Sequence, residues 1–145
     1  MHISDVLRGK GSDVVTVPPD TCVRDFLDVL SEFGIGAAVV SADGQSVDGI
    51  VSERDVARSL SDRGAVVLSE DVSSIMTREV VCAVPSDHVD ALFAVMTEQR
   101  IRHIPVLVDD RLAGLVSIGD LVKHRVSELE TERDSLAQYI SSTAT

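Results

Sequence analysis

Two short stretches carry residue types suited to holding a phosphorylated sugar. Ser52-Glu53-Arg54-Asp55 and Ser117-Ile118-Gly119-Asp120 share a Ser-x-x-Asp pattern, and each follows Gly-aliphatic-Val, at Gly49-Ile50-Val51 and Gly114-Leu115-Val116. An aliphatic run ending in Ser, followed by an acid three residues on, reads as a strand that turns into a helix. In that setting Ser52 and Ser117 can cap the helix, and Asp55 and Asp120 suit its first turn. The same geometry can serve a ligand. A helix N-terminus presents free N–H groups and the positive end of its dipole to an anion. A carboxylate beside it can accept hydrogen bonds from both hydroxyls of a ribose. Plain capping and nucleotide binding are therefore both open for either motif alone. Two copies in matching contexts strengthen the second reading.

The basic groups near these motifs are distributed unequally. Arg54 sits inside the first motif, where the second has Gly119. Arg102-His103 precedes the strand Ile104-Pro105-Val106, and the corresponding residues earlier in the chain are the uncharged Gly36-Ala37. Arg54 can equally be a solvated helix residue, and His103 an ordinary strand-end histidine. If both halves border a shared cleft, however, Arg54, Arg102 and His103 can converge on one polyphosphate. A second cleft would then be poorer in charge.

The elements that must position these groups form a repeat. The Gly-to-Asp motif recurs at an offset of 65, Val17-Pro18-Pro19-Asp20 recurs as Val84-Pro85-Ser86-Asp87 at 67, and Ile35 to Val40 recurs as Ile101 to Val106 at 66. A short aliphatic turn precedes each copy, Ile3-Ser4-Asp5-Val6-Leu7 and Val72-Ser73-Ser74-Ile75-Met76. Within each copy a β-branched run, Val14 to Val17 or Val80 to Val84, predicts a strand ending at a Pro-x-Asp turn. Asp20 or Thr21, and Asp87, are candidate helix caps. Val23, Phe26, Leu27 and Leu30, like Val89, Leu92, Phe93 and Met96, then follow helical spacing. Two hairpins come next: 37–40 with 47–51 around Asp43-Gly44, and 104–108 with 112–116 around Asp109-Asp110. A closing helix follows Ser52 or Ser117. The prediction is a mixed α/β (α+β) fold of two β-α-β-β-α units about a pseudo-twofold axis, because a unit of about 60 residues buries too little surface alone. The expected divisions are 1–62 for the first repeat, 63–71 for a linker, 72–127 for the second repeat and 128–145 for a helical tail. Val66-Val67-Leu68 is too apolar for a free linker and should lie against the body.

Composition narrows the function classes. The chain has 145 residues, with 44% hydrophobic and 26% charged, an ordinary globular balance. Twenty-four acids against thirteen Lys plus Arg give a formal charge of -11, which argues against general nucleic-acid binding. Phe26, Phe33, Phe93 and Tyr139 are too few for a base-stacking platform. No eighteen-residue uncharged stretch predicts a membrane span, and Met1 to Asp5 does not resemble a signal peptide. Cys22 and Cys82 form no metal pattern and are expected as free thiols in a reducing cytoplasm. His2, His88, His103 and His124 show no ligand spacing, and no nucleophile or P-loop signature is present, so neither a metal site nor catalysis is expected.

Taken together, the Val-Pro-x-Asp turns, Ile75-Met76-Thr77, Arg102-His103-Ile104-Pro105-Val106 and both Gly-aliphatic-Val-Ser-x-x-Asp motifs resemble a tandem pair of CBS domains, the modules named after cystathionine β-synthase. The resemblance runs from Ile3 to about Ser127. Lys10-Gly11 and the two Ser-x-x-Asp segments are similar to small stand-alone bacterial CBS-pair proteins. The resemblance implies a disc-like Bateman module that binds AMP, ADP, ATP, NAD or S-adenosylmethionine between its repeats, and no catalytic cofactor. It implies that Asp55 and Asp120 accept the ribose hydroxyls and that Ser52 and Ser117 lie near ribose or phosphate. Backbone at Val14 to Thr16 and at Val80, Val81 and Cys82 would frame the adenine. Arg54, Arg102 and His103 would meet phosphates, and Ile104 and Pro105 would offer apolar contact. The output would be signalling in trans to a regulated protein, through a homodimer. The alternative is a module that keeps the fold, binds no nucleotide and serves as a structural or interaction surface.

The tail adds one expectation. Val122, Val126, Leu129, Arg133, Leu136 and Ile140 alternate spacings of four and three, a short coiled-coil seam interrupted by Arg133. The seam predicts either packing on the chain's own body or a contact between two copies.

Overall fold

The computed structural model describes residues 1–11 and 13–143. Its elements run α1 (Ile3–Lys10), β1 (Thr16–Val17), α2 (Val23–Phe33), β2 (Ala37–Val40), β3 (Gly49–Ser52), α3 (Glu53–Arg63), 3-10 turns at Gly64–Ser69 and Val72–Ser74, α4 (Val89–Gln99), β4 (His103–Val108), β5 (Arg111–Ser117) and α5 (Ile118–Thr143). The expected β-α-β-β-α order is present in the first half. There β1 pairs parallel with β2, and β2 pairs antiparallel with β3, Ala37 facing Ser52 and Val40 facing Gly49. In the second half β4 and β5 form an antiparallel hairpin whose turn, Asp109-Asp110, has positive φ at both residues (51° and 62°). Two such residues match the twist of the flanking strands, and Asp tolerates that conformation better than most side chains.

The strand expected at Val80 to Val84 shrinks to a single bridge, Ala83 with Val106. The Ala83 N–H donates to the Pro105 carbonyl, and the Leu107 N–H donates to the Ala83 carbonyl. Continuing the parallel ladder one residue back would require an N–H on Pro105, and proline has none. The equivalent position of the first half is Val39, where the pair Thr16 with Val39 does form. The chain at Val80 and Val81 is thereby left outside the ladder. Helix caps also differ from expectation. Cys22 and His88 take the N-cap positions of α2 and α4. Asp87 instead closes the preceding turn by accepting from the Val84 N–H at 2.9 Å.

Two apolar cores result. One joins Val17, Val23, Phe26, Leu30, Val40 and Val51 with Val67 and Val72. The other joins Ala83, Val89, Leu92, Met96, Ile104, Val116 and Leu121 with Ile3 and Val6. The leading turns are thus exchanged: α1 packs on the second hairpin, and the turn at Val72–Ser74 packs on the first. The motif glycines make this possible. A Cβ at Gly49 would lie 2.5 Å from Met76 Sδ, and one at Gly114 would lie 2.7 Å from Leu7 Cδ2. Leu7 and Met76 are matching residues of the two leading turns. The exchange ties each half to the other, which suits units too small to be stable alone. The apolar segment after α3 also joins the body, with Val67 fully buried although Val66 is exposed.

Helix α5 runs well beyond the second core. Val122, Val126, Leu129, Leu136 and Ile140 on its expected seam are 48 to 63% exposed, so they do not pack on the chain's own body. No helix among the described residues is long and apolar enough to cross a membrane.

Candidate functional site

A cavity of about 560 Å3 opens between the two halves. Ala37 from the start of β2, Ile50 and Ser52 from β3, and the first turns of α3 form one wall. Thr77, Glu79, Val80 and Val81, with the turn from Gln99 to His103, supply the rest. Its size lies within the ordinary range for small-molecule sites, roughly 300–1,000 Å3.

At its base the Ser-x-x-Asp motif makes a reciprocal cap. Asp55 Oδ2 accepts from the Ser52 N–H at 2.8 Å and from Ser52 Oγ at 3.1 Å, while the Asp55 N–H donates back to Ser52 Oγ at 3.3 Å. Capping is therefore real, and it does not exhaust the carboxylate. Asp55 lines the cavity, and its Oδ1 has no hydrogen-bond partner among the described residues, which leaves one acceptor oxygen unclaimed. The cap fixes the rotamer of Asp55, so an incoming hydroxyl would meet an oriented acceptor.

Basic groups from both halves surround the same space. Arg54 and Arg58 stand one turn apart on α3, and Arg100, Arg102 and His103 lie on the facing turn. His103 is held below the ordinary histidine value, first by burial and then by the Lys10 ammonium, against the opposing pull of Asp120 and Glu53. The uncharged imidazole is therefore favoured while the cavity is empty, and an anion placed beside it would raise its affinity for a proton.

A second cavity, about 350 Å3, is built from the equivalent parts. Gly34, Ile35, Gly36 and Ala37 replace the basic turn, Val14 and Val15 replace Val80 and Val81, and Ser117 and Asp120 replace Ser52 and Asp55. His103 borders both cavities. Here the acid's capping oxygen Oδ2 also carries a cation, while its Oδ1, like that of Asp55, has no partner among the described residues. Lys10 Nζ donates to Asp120 Oδ2 at 2.5 Å and to the Leu115 carbonyl at 2.6 Å, and the Ser117 N–H donates to the same Asp120 oxygen at 2.9 Å. Burial pushes the Asp120 carboxyl up, but the Lys10 and Ser117 hydrogen bonds outweigh it and hold the group below the usual carboxylate range.

The structure thus brings Ser52, Arg54, Asp55, Val80, Val81, Arg102 and His103 to one cavity, and Val14, Ser117 and Asp120 to the other. Thr16, Cys82, Ile104 and Pro105 line neither. Thr16 is drawn into the β1–β2 ladder, and Cys82 is exposed beyond the cavity wall. Ile104 points into the second core, because successive strand residues face opposite ways and His103 takes the cavity side. Pro105 is buried deeper along β4, its carbonyl taken by Ala83. Four charged lining residues were not singled out by the sequence: Arg58, Glu79, Arg100 and Asp13. Arg58 was accessible to the i, i+4 rule applied from Arg54. Arg100 was visible as the residue matching Gly34 at the repeat offset. Lys10 stood in a quoted motif, but its ion pair across 110 residues left no local signal. Among the described residues no His, Cys, Asp and Glu cluster could hold a metal ion.

Comparison with known proteins agrees with this architecture. The CBS domain family model matches twice, at residues 3–62 and 72–127. The mitochondrial CBS domain-containing protein CBSX3 of Arabidopsis thaliana is 36% identical over 95% of this chain and 71% of its own length. A CBS-domain containing protein of Agrobacterium tumefaciens is 44% identical, superposes with a TM-score of 0.83, and is covered over 99% of its length by 86% of this chain. A CBS domain protein of Pyrobaculum aerophilum, whose structure is a complex with AMP, is 26% identical with a TM-score of 0.77 over 90% of this chain and 97% of its own. Two repeats, exchanged leading turns and a cavity between the halves all fall within the matched region, and the chain belongs to the CBS domain family as a tandem pair forming one Bateman-type module.

Proposed function

We propose that this CBS pair is a cytoplasmic regulatory module that binds an adenine nucleotide of the AMP, ADP, ATP or NAD type, and that it reports occupancy in trans to a protein it regulates. The observation that carries this reading is the larger cavity. It combines an oriented acid with a free oxygen, Asp55, a helix N-terminus at Ser52, the backbone of Val80 and Val81 outside the sheet, and basic groups from the facing half. These are the features that a ribose, a base edge and a phosphate require. The adenine preference is supported by the AMP complex of the Pyrobaculum aerophilum relative. Catalysis is not part of the reading, since no paired nucleophile and base faces the cavity among the described residues.

Native mass spectrometry of the freshly purified chain, followed by a thermal-shift series with adenine compounds, tests it. At a hundredfold excess over Kd, a bound nucleotide should add about 2.7 kcal/mol of stability, a shift of several degrees. No co-purified adenine compound and no shift with any of them overturns the proposal.

The exposed apolar seam of α5 favours a second role beside the first, self-association into a homodimer or docking to a partner protein. If the chain were solely such an interaction module, partner affinity would ignore every nucleotide.

A further inference from the structure

Thirteen Lys and Arg residues stand against 24 acids in this chain. Six of them are engaged: Arg8, Lys10, Arg63, Arg125 and Arg133 in ion pairs, and Arg78 with the Ser73 carbonyl. Among the described residues the other seven form no ion pair and no side-chain hydrogen bond, and four of those seven line the larger cavity: Arg54, Arg58, Arg100 and Arg102. Unpaired guanidinium groups gathered at one place in an acidic protein repel one another. Glu53, Asp55 and Glu79, on the same lining, offset only part of that charge.

Arg100 supplies an independent observation. It caps α4 in the left-handed conformation, at φ 56° and ψ 41°. The matching residue that caps α2 is Gly34, at φ 63° and ψ 39°. The backbone is the same in both repeats, and glycine takes it without strain, whereas a residue with a Cβ does not. The second repeat therefore carries a strained arginine where the fold asks for glycine, and that arginine is on the cavity. Strain of this kind points to a function at the residue that bears it.

The four arginines come from opposing walls. Arg54 and Arg58 come from successive turns of α3, and Arg100 and Arg102 from the facing turn. Each guanidinium can bind two phosphate oxygens through its planar fork. A single phosphate, with His103 also present, cannot use all four. We infer that the larger cavity selects adenine nucleotides with at least two linked phosphates over AMP, adenosine and sulfonium-bearing adenosine compounds, Arg58 and Arg100 meeting the phosphate beyond the first. This rests on the adenine-nucleotide reading above and specifies its ligand class.

Calorimetric titration of the full chain with adenosine, AMP, ADP and ATP at one fixed ionic strength tests it, repeated on Arg58→Ala and Arg100→Gly. In the native chain ATP and ADP should bind at least about tenfold more tightly than AMP, the scale of one or two charge-assisted contacts. Arg100→Gly should bring ATP close to AMP by costing ATP several-fold more affinity than AMP, with the melting temperature equal or higher, because the strained backbone is relieved. A purely structural Arg100 would instead lower stability and move all ligands together. Equal affinities for AMP and ATP, or an unchanged ATP-to-AMP ratio in both variants, overturn the inference and leave nucleotide binding itself standing. Failure of every adenine compound to bind overturns both.

Discussion

The two cavities of this molecule are assembled from matching pieces, yet they present opposite chemistry. One receives the turn Arg100-Ile101-Arg102-His103, the other Gly34-Ile35-Gly36-Ala37. One has Arg54 within its Ser-x-x-Asp motif, while the other motif carries Gly119. In both, the acid's Oδ1 has no partner among the described residues, but Lys10 pairs with the capping oxygen of Asp120 whereas no cation pairs with Asp55. The charged residues that differ line the cavities, whereas the buried positions of the two cores stay apolar in both halves, as at Phe26 and Leu92 or Leu30 and Met96. Lining positions are free to diverge because changing them creates no void and leaves no buried polar group unpaired. A duplicated scaffold can thus leave one cavity's acid without a cation and pair the other's internally.

The contrast predicts its largest effect at the acids. Asp55→Ala should weaken nucleotide binding by about tenfold to a hundredfold, the loss expected when a hydrogen bond to a charged group disappears. Asp120→Ala should change it by less than about threefold, since its partner is already Lys10. Isothermal titration of the two variants side by side decides the matter, and equal losses would make the cavities equivalent.

A smaller effect is expected from pH. Burial lowers the folded-state pKa of His103, so the unfolded chain protonates first. The ligand-free protein should keep its full stability above the unfolded value, near 6.5, and lose part of it as pH falls through that value. Anionic ligand reverses the preference, so nucleotide affinity should rise severalfold from about pH 8 to 6 with net proton uptake. His103→Gln should flatten both curves, and calorimetry in buffers of differing ionisation enthalpy measures the proton uptake directly.

The Lys10–Asp120 pair should contribute less still. Its side chains are 35% and 25% exposed, so Lys10→Met should cost no more than about 1 kcal/mol at neutral pH. The folded Asp120 pKa is depressed, so this contribution is present above the unfolded value near 3.9 and is lost as pH falls below it. Melting curves of both proteins at pH 7 and at pH 3 should show a gap that closes in acid. The smallest effect on either cavity should come from α5. Leu129→Glu with Leu136→Glu should shift sedimentation toward the monomer while leaving nucleotide Kd within about twofold. A large loss of nucleotide binding in that variant would tie the cavity to assembly.

Much of this was legible in the residues. The offset repeat, the helical spacing of Val23, Phe26 and Leu30, the hairpins and the helix start after Ser52 rest on local pattern, and local pattern is what side-chain periodicity encodes. The β-branched composition at Val80 predicts a strand, but a strand also needs a neighbour able to pair with it. Pro105, in plain view in the sequence, withholds the N–H that strand would need. The same applies to Ile104, whose place follows from alternation once His103 is known to face the cavities.

By itself the sequence determined the duplication, the order of elements and the inequality of charge between the copies, because each depends on residue types a few positions apart. Only the tertiary structure decided that α1 packs on the other half's hairpin, that Lys10 reaches Asp120, and that Arg58 and Arg100 line the same cavity. These are meetings between residues tens of positions apart. They are fixed by the burial of Leu7 against Gly114 and of Met76 against Gly49, and a contact of that kind leaves no periodicity in the chain that makes it.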